Sequence, residues 1–137
     1  MNYDHDFYTT SGGQTTLNCG GELVDLTEPR IMGILNLTPD SFFDGGKFTT
    51  ESQILNKVEA MMAEGATFID IGAQSSRPGA TLLDDKKEAT RLIPHLKAIV
   101  RSFPGILISV DTFYSSVATK ALDEGAIMIN DISAGEM

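Results

Sequence analysis

The chain has 137 residues, of which 42% are apolar, enough for one modest domain with a single core. Its formal net charge of −9 argues against nucleic acid or an anionic membrane as a partner, because no cluster of lysines and arginines offsets the repulsion. No apolar stretch approaches the roughly 20 residues of a membrane-spanning helix, and the acidic N-terminus is unlike a secretory signal. A soluble cytoplasmic protein is therefore expected, and the single cysteine, Cys19, agrees with a reducing compartment because it cannot form an internal disulfide.

The residues before Arg30 differ from the rest of the chain. Residues 1–14 show no apolar periodicity and are predicted to be a mobile N-terminal tail. Residues 15–29 contain two short strand-like runs around a Gly-Gly pair, which indicates a β-hairpin. Residues 30–137 form the third predicted segment, in which strands and helices alternate.

Strand-type apolar runs alternate with helix-type periodic segments from Arg30 onward. The predicted strands lie in RIMGILNL, TFIDIG, GILISVD and AIMINDI, and the predicted helices lie in ESQILNKVEAMMAEG, LDDKKEATRLIPHLKAIVRSF and YSSVATKALDEG. Thr50 is predicted to cap the first helix, and Pro94 is predicted to bend or divide the second. This alternation predicts parallel strands joined by right-handed crossovers, an α/β architecture.

A short polar side chain stands where each predicted strand gives way to a loop. These residues are Asn36, Asp70, Asp111 and Asn130. In parallel α/β folds the carboxyl ends of the strands converge on the ligand site, so the four are expected to line one crevice. Any one of them is equally consistent with a helix cap or a turn residue. Taken together with two unusually long polar loops, they favour a small-molecule site.

Four motifs, in their order and spacing, resemble the dihydropteroate synthases, pterin-binding enzymes of folate biosynthesis. The motifs are MGILNLTPDSFFDGG, IDIGAQSSRPGA, SVDT and INDIS, and the resemblance runs from Leu17 to the end of the chain. It implies a (β/α)8 TIM barrel and a transferase that joins 4-aminobenzoate to 6-hydroxymethyl-7,8-dihydropterin diphosphate. It also implies Mg²⁺ as the cofactor, diphosphate as the leaving group, and sulfonamides as competitors for the aminobenzoate position.

The resemblance assigns roles to residues at the strand ends. It implies that Asn36 contacts Mg²⁺ and the diphosphate, a suitable role for an amide oxygen when phosphate and water complete the shell. Asp111 and Asn130 correspond to pterin-binding residues, whose acceptors and donors match the edges of the ring. Asp70 is expected on the floor of the same crevice and, with Arg77, is a predicted catalytic residue. A loop-capping role explains Asp70 nearly as well.

The two long loops carry the other predicted contacts. Ser76 and Arg77 correspond to a hydroxyl and a cation that approach the diphosphate or the aminobenzoate, although the family more often has Thr in place of this Ser. Phe42 and Pro78 are expected to form an apolar slot for the aminobenzoate ring, with Asp44 nearby. Closure of these loops would exclude water, which otherwise competes with the attacking amine.

The length of the chain departs from the family. A complete barrel of this type takes about 250 residues. The chain is therefore expected to be truncated to the first four βα units behind an N-terminal hairpin, and to be inactive by itself. A homodimer is expected only for the complete enzyme. Two alternatives stay open, a non-catalytic pterin-binding half-barrel and the pterin domain of a corrinoid-type methyltransferase. The loop sequences NLTPDSF and SSRPG favour the synthase over the methyltransferase, because they belong to aminobenzoate chemistry.

Overall fold

The computed structural model describes residues 15–38, 50–75 and 79–135. Within these ranges the elements, in chain order, are β1 (Thr16–Cys19), β2 (Glu22–Asp25), β3 (Ile31–Asn36), α1 (Glu51–Ala63), β4 (Ala66–Gly72), α2 (Asp85–Ser102), β5 (Leu107–Asp111), α3 (Ser115–Asp123) and β6 (Met128–Asn130). The predicted tail, 1–14, lies outside the described residues, and the predicted segment boundaries stay predictions.

The last four strands form one parallel sheet in the order β3-β4-β5-β6. A helix lies between each consecutive pair of strands along the chain, as parallel pairing requires, because the chain must return to the same end of the sheet. This arrangement confirms the predicted α/β fold class. The first two strands pair separately as an antiparallel hairpin, and its turn residues Gly20 and Gly21 both have positive φ angles, 63° and 98°.

The main core lies on the face of the sheet that the helices cover. Alternate strand residues point to this face, because successive side chains of a strand point to opposite sides. The fully buried contributors from β3, β4 and β5 pack against α1 and α2, and they are Leu35, Ile69, Ile71, Ile108 and Val110. The residues between them in the sequence therefore face the opposite side of the sheet.

The β1–β2 hairpin packs on that opposite face, near the amino-terminal ends of the strands. Cys19 and Val24 of the hairpin form a second buried cluster with Phe68 and Leu107. Phe68 and Leu107 are partners in the β4–β5 register and lie at the beginning of the ladder between the two strands. The polar residues at the carboxyl ends of the same strands lie beyond this cluster.

Helix α2 runs unbroken through Pro94, so the predicted division of the helix is wrong, while the predicted bend stays a prediction. Proline removes one backbone hydrogen bond within a helix and crowds the preceding turn. Pro94 is exposed, so water can solvate the carbonyl that is left without a donor. Leu92, Leu96 and Ile99 are fully buried along the other side of α2, and their packing stabilises the helix on both sides of Pro94.

Helix α1 begins with a capping box, which confirms Thr50 as its N-cap. The Thr50 hydroxyl accepts a hydrogen bond from the backbone N–H of Gln53 at 3.3 Å, and the Gln53 side-chain oxygen accepts from the backbone N–H of Thr50 at 2.8 Å. These two bonds satisfy amide groups that a helix start leaves without partners.

Replacing Thr50 with alanine is expected to lower the free energy of unfolding by about 1 kcal/mol, because one cap bond is lost. Urea denaturation followed by circular dichroism measures the change. Thr119→Ala is the matched control, since the Thr119 hydroxyl bonds back to the Ser115 carbonyl within α3 and caps nothing. An equal loss in both variants would contradict a specific contribution from the cap.

Candidate functional site

Two layers of side chains line the helix-free face of the sheet at its carboxyl-terminal end. The upper layer, at the strand ends, consists of Asn36, Gly72, Asp111 and Asn130. The lower layer, one pleat below, consists of Ile34, Asp70, Ser109 and Met128. Residues i and i+2 of a strand face the same side, so both layers belong to one surface of the sheet, which is called the crevice below. The structure thus brings the four predicted strand-end residues together, while their individual roles stay predictions.

Asp70 connects the two layers. It is only 3% exposed, and its Oδ2 accepts a hydrogen bond from Nδ2 of Asn130 at 3.1 Å. An ionised carboxylate offers acceptors only, so the Asn130 amide must present its N–H group to Asp70 and leave Oδ1 facing elsewhere. Asp70 therefore fixes which end of the Asn130 amide is available to a ligand.

Two buried polar groups of the lower layer have no hydrogen-bond partner among the described residues. They are Oδ1 of Asp70 and the hydroxyl of Ser109, which is fully buried and is the register partner of Asp70 on β5. Leaving such a group unsatisfied costs about 1–3 kcal/mol, so an orphaned pair in one layer is unusual for a site that serves packing alone. The floor of the crevice therefore has unused hydrogen-bonding capacity.

The surroundings of Asp111, in the upper layer, disfavour the ionised form of its carboxyl group. Burial raises the pKa of its carboxyl, and the nearby acids Asp70, Glu88 and Asp131 raise that pKa further by repulsion. Burial and neighbouring negative charges both disfavour the ionised form of this carboxyl group. A carboxyl group in such an environment, in a crevice at strand ends, is typical of functional sites.

Gly72 makes room for the Asp111 carboxylate. A Cβ atom placed on Gly72 would lie 3.4 Å from Oδ2 of Asp111 and 3.5 Å from its Cβ, so the Asp111 side chain lies close beside Gly72. A methyl group fits at those distances, but a branched side chain would compete with the carboxylate for space. Sequence reasoning did not select Gly72 or Ser109, although a glycine inside a strand is a known signal of close approach.

The predicted loop contacts lie outside the described residues. They are Phe42, Asp44, Ser76, Arg77 and Pro78.

Asn36, the predicted Mg²⁺ contact, is exposed at the end of β3. In the described part of the chain, no group of at least three His, Cys, Asp and Glu side chains could hold a metal ion. One amide oxygen suits a hard cation only where phosphate and water supply the other ligands, so the donors present fit Mg²⁺ that arrives with a diphosphate.

Comparison with known proteins identifies the family. The family described as Pterin binding enzyme matches residues 32–137. The chain belongs to the pterin-binding enzyme family. Among curated relatives it is 49% identical over 130 residues to the mitochondrial folate synthesis bifunctional protein of Arabidopsis thaliana, covering 92% of this chain and 23% of that protein. It is 46% identical over 115 residues to the dihydropteroate synthase of Streptococcus pyogenes serotype M1, covering 84% and 43%.

A solved structure of the family has the same fold. Xanthomonas albilineans dihydropteroate synthase with 4-aminobenzoic acid superposes with a TM-score of 0.82 and 41% identity, over 90% of this chain and 46% of that one. This likeness confirms the resemblance and the predicted α/β units of the synthase barrel. The chain thus spans less than half the length of these relatives.

Within the described ranges no helix is long and apolar enough to cross a membrane.

Proposed function

We propose that this chain provides the pterin-binding strands of a dihydropteroate synthase. The complete reaction would condense 4-aminobenzoate with 6-hydroxymethyl-7,8-dihydropterin diphosphate to give 7,8-dihydropteroate and diphosphate. The observation that carries the proposal is the crevice in which Asp70, Asp111 and Asn130 meet, within a chain of the pterin-binding family. Related structures support it, since X. albilineans dihydropteroate synthase is described with 4-aminobenzoic acid and with 7,8-dihydropteroate.

The upper layer suits the polar edges of a pterin ring. The Asp111 carboxylate accepts hydrogen bonds from ring or exocyclic N–H groups, and Asn130 offers the amide oxygen that Asp70 turns away from itself. A ligand N–H group or a water bound with the ligand can also satisfy Oδ1 of Asp70 and the Ser109 hydroxyl. In this proposal Asp70 acts by positioning Asn130, which gives a physical role to the predicted catalytic residue.

The chemistry replaces one bond at the pterin methylene carbon. The C–O bond to the diphosphate breaks, the amine nitrogen of 4-aminobenzoate forms the new C–N bond, and the amine releases a proton. Mg²⁺ stabilises the departing diphosphate when it is bound, and Asn36 would hold it. Arg77 and Ser76 would contact the diphosphate or the aminobenzoate.

The remaining predicted assignments also belong to the proposal. Phe42 and Pro78 flank the aminobenzoate ring, with Asp44 nearby, and sulfonamides compete for that position. The related Yersinia pestis dihydropteroate synthase is described in complex with a sulfonamide drug. Homodimer formation by the complete enzyme and a cytoplasmic location stay predictions, and the Arabidopsis relative is mitochondrial by name.

A fusion protein tests the proposal. Residues 1–137 are joined to the part of the S. pyogenes dihydropteroate synthase beyond the matched region, and 7,8-dihydropteroate and diphosphate are measured with each reactant omitted in turn. Both products are expected only when Mg²⁺, 4-aminobenzoate and the pterin diphosphate are all present. The parent S. pyogenes enzyme is the positive control. A folded fusion that binds the pterin but forms no product would favour a non-catalytic half-barrel.

The pH dependence of pterin binding should respond to Asp70. Binding needs ionised Asp111, whose raised pKa moves the acidic loss of binding above the range of an ordinary aspartate. Asp70→Asn removes one repelling charge, so the Asp111 pKa falls. The acidic limb of the binding profile, which is the pH range over which acidification abolishes pterin binding, then moves to lower pH. Affinity at neutral pH is expected to weaken about tenfold, because the Asn130 amide loses its fixed orientation.

Titration of pterin binding to the fusion protein from neutral to acidic pH measures the Asp70 effect. Asp123→Asn, an exposed change at the end of α3, is the matched control and should leave both the limb and the affinity unchanged. An acidic limb in the same place for Asp70→Asn as for the unchanged fusion would contradict electrostatic coupling between the two carboxyl groups.

A further inference from the structure

A hydrogen-bonded clamp joins the two ends of the connection between β4 and α2. The Gln74 side-chain amide lies between Leu83 and Glu88. Its Nε2 donates to the Leu83 carbonyl at 3.0 Å and to Oε2 of Glu88, and its Oε1 accepts from the Leu83 backbone N–H at 3.0 Å. Both amide hydrogens and the oxygen are therefore used. Gln74 and Leu83 are nine residues apart, and the two bonds between the Gln74 side-chain amide and the Leu83 backbone resemble the pair of bonds that two residues exchange in an antiparallel sheet.

The clamp is built on a buried carboxylate. Glu88 lies in the first turn of α2 and is 0% exposed. Its Oε2 is bonded to Gln74, but its Oε1 has no partner among the described residues. An apolar side chain of similar size would pack at this position at lower cost, because a buried carboxylate is stabilised only when donors satisfy it. Packing alone therefore does not account for Glu88.

Two further bonds connect the clamp to the strand ends. The Tyr114 hydroxyl donates to the Leu83 carbonyl at 2.8 Å, and Tyr114 follows β5 directly before α3. Arg91 of α2 donates from Nη1 to the carbonyl of Ala73, the residue after β4, at 3.0 Å. The clamp thus stands beside the strands that carry Asp70 and Asp111. The Glu88 charge accordingly contributes to the raised pKa of Asp111.

We propose that Gln74 and Glu88 are positioning residues that fix the entry and exit of the β4–α2 connection beside the crevice. The inference rests on the proposed function, in which that connection supplies contacts to 4-aminobenzoate. The residues do not touch the pterin in this account. They set the separation of the loop ends at Ala73 and Leu83. That separation in turn sets the position and orientation in which 4-aminobenzoate is bound.

Gln74→Met tests the clamp, because methionine has similar length and cannot form the three bonds. Amide hydrogen exchange of Leu83 is measured in the 137-residue chain, and the KM values for both substrates are measured in the fusion protein. Leu83 protection is expected to fall about tenfold, which corresponds to a loss of about 1.4 kcal/mol and lies within the range for one hydrogen bond. The KM for 4-aminobenzoate should rise about tenfold, with the KM for the pterin diphosphate within about twofold.

Two variants separate positioning from general destabilisation. Gln53→Met removes the same amide from the capping box of α1, far along the chain from the clamp, and should leave both KM values unchanged. Glu88→Gln keeps an acceptor oxygen for Gln74 while it removes the charge, so it should retain most of the Leu83 protection and most of the 4-aminobenzoate affinity.

Three results would overturn the inference at different points. Unchanged Leu83 exchange in Gln74→Met would overturn the clamp itself, whatever reaction the protein catalyses. Lost protection with a 4-aminobenzoate KM equal to that of Gln53→Met would leave a structural clamp and overturn the positioning role. An unaltered fusion that forms no product would overturn the proposed function and the positioning role with it, while the exchange experiment still decides whether the clamp exists.

Discussion

Asp111→Asn is expected to stabilise the chain at neutral pH while it removes pterin affinity. The folded-state pKa of Asp111 is raised, by burial first and then by Asp70, Glu88 and Asp131, so the ionised carboxyl is less favourable in the folded chain than in the unfolded one. An ionisable group of this kind lowers stability above its folded pKa, and the penalty disappears below its unfolded pKa of about 3.9. Asparagine, being neutral, carries no such penalty at any pH.

The same change replaces the charged acceptor proposed for the pterin N–H groups with an amide, which keeps one neutral acceptor oxygen and places an N–H donor where the other oxygen stood. Hydrogen bonds to a charged acceptor are worth about 1.5–3 kcal/mol each, so affinity in the fusion protein should fall on the order of 100-fold. Urea denaturation at neutral and acidic pH measures stability, and equilibrium titration with the pterin measures affinity. The stability gain should shrink as the pH falls toward the unfolded-state pKa. A variant that is less stable at neutral pH and binds the pterin normally would show that Asp111 serves the fold.

Gly72→Val is expected to displace the Asp111 carboxylate and to weaken pterin binding on the order of 100-fold, because misplacing a binding group by about 1 Å has effects of this size. The Asp111 Oδ2 lies 3.4 Å from the position of a Cβ at Gly72, so two additional methyl groups are expected to compete with the carboxylate for space. Overpacking of this kind also lowers stability by about 1–3 kcal/mol.

Gly72→Ala is the matched control for that substitution. Its single methyl group would be in ordinary van der Waals contact with Asp111, so affinity and stability should change little. Binding and urea denaturation are compared for both variants in the fusion protein. Equal pterin affinity in the valine variant and the unchanged protein would contradict the close approach of Asp111 to β4.

The order of elements could be predicted because it depends on local patterns. The apolar runs of β3 to β6, the Thr50 cap and the periodicity of α1 are all properties of neighbouring residues. The strand-end positions of Asn36, Asp70, Asp111 and Asn130 follow from the same runs, since each marks the point at which an apolar stretch stops. These signals were sufficient to place the crevice at one edge of the sheet.

The contacts within the crevice could not be predicted, because they depend on register and side-chain direction. The bond between Asn130 and Asp70 joins residues 60 positions apart in the sequence, and a shift of β6 by one residue would turn Asn130 to the other face. The close approach of Asp111 to Gly72 and the pairing of Gln74 with Glu88 likewise depend on packing between distant elements. Local rules also predicted that Pro94 could divide α2, whereas the helix continues through it, because helix propensity is overridden by the buried face of α2.

A crystal structure of the fusion protein with 6-hydroxymethyl-7,8-dihydropterin tests the central claim most directly. The distances that decide it join the pterin N–H groups to the Asp111 carboxylate, and the pterin ring to the Asn130 amide oxygen. We expect N–H···O contacts of about 2.7–3.2 Å at Asp111, with Nδ2 of Asn130 still bonded to Asp70. A pterin bound away from the upper layer, or an Asn130 amide turned from Asp70, would contradict this assignment of the site.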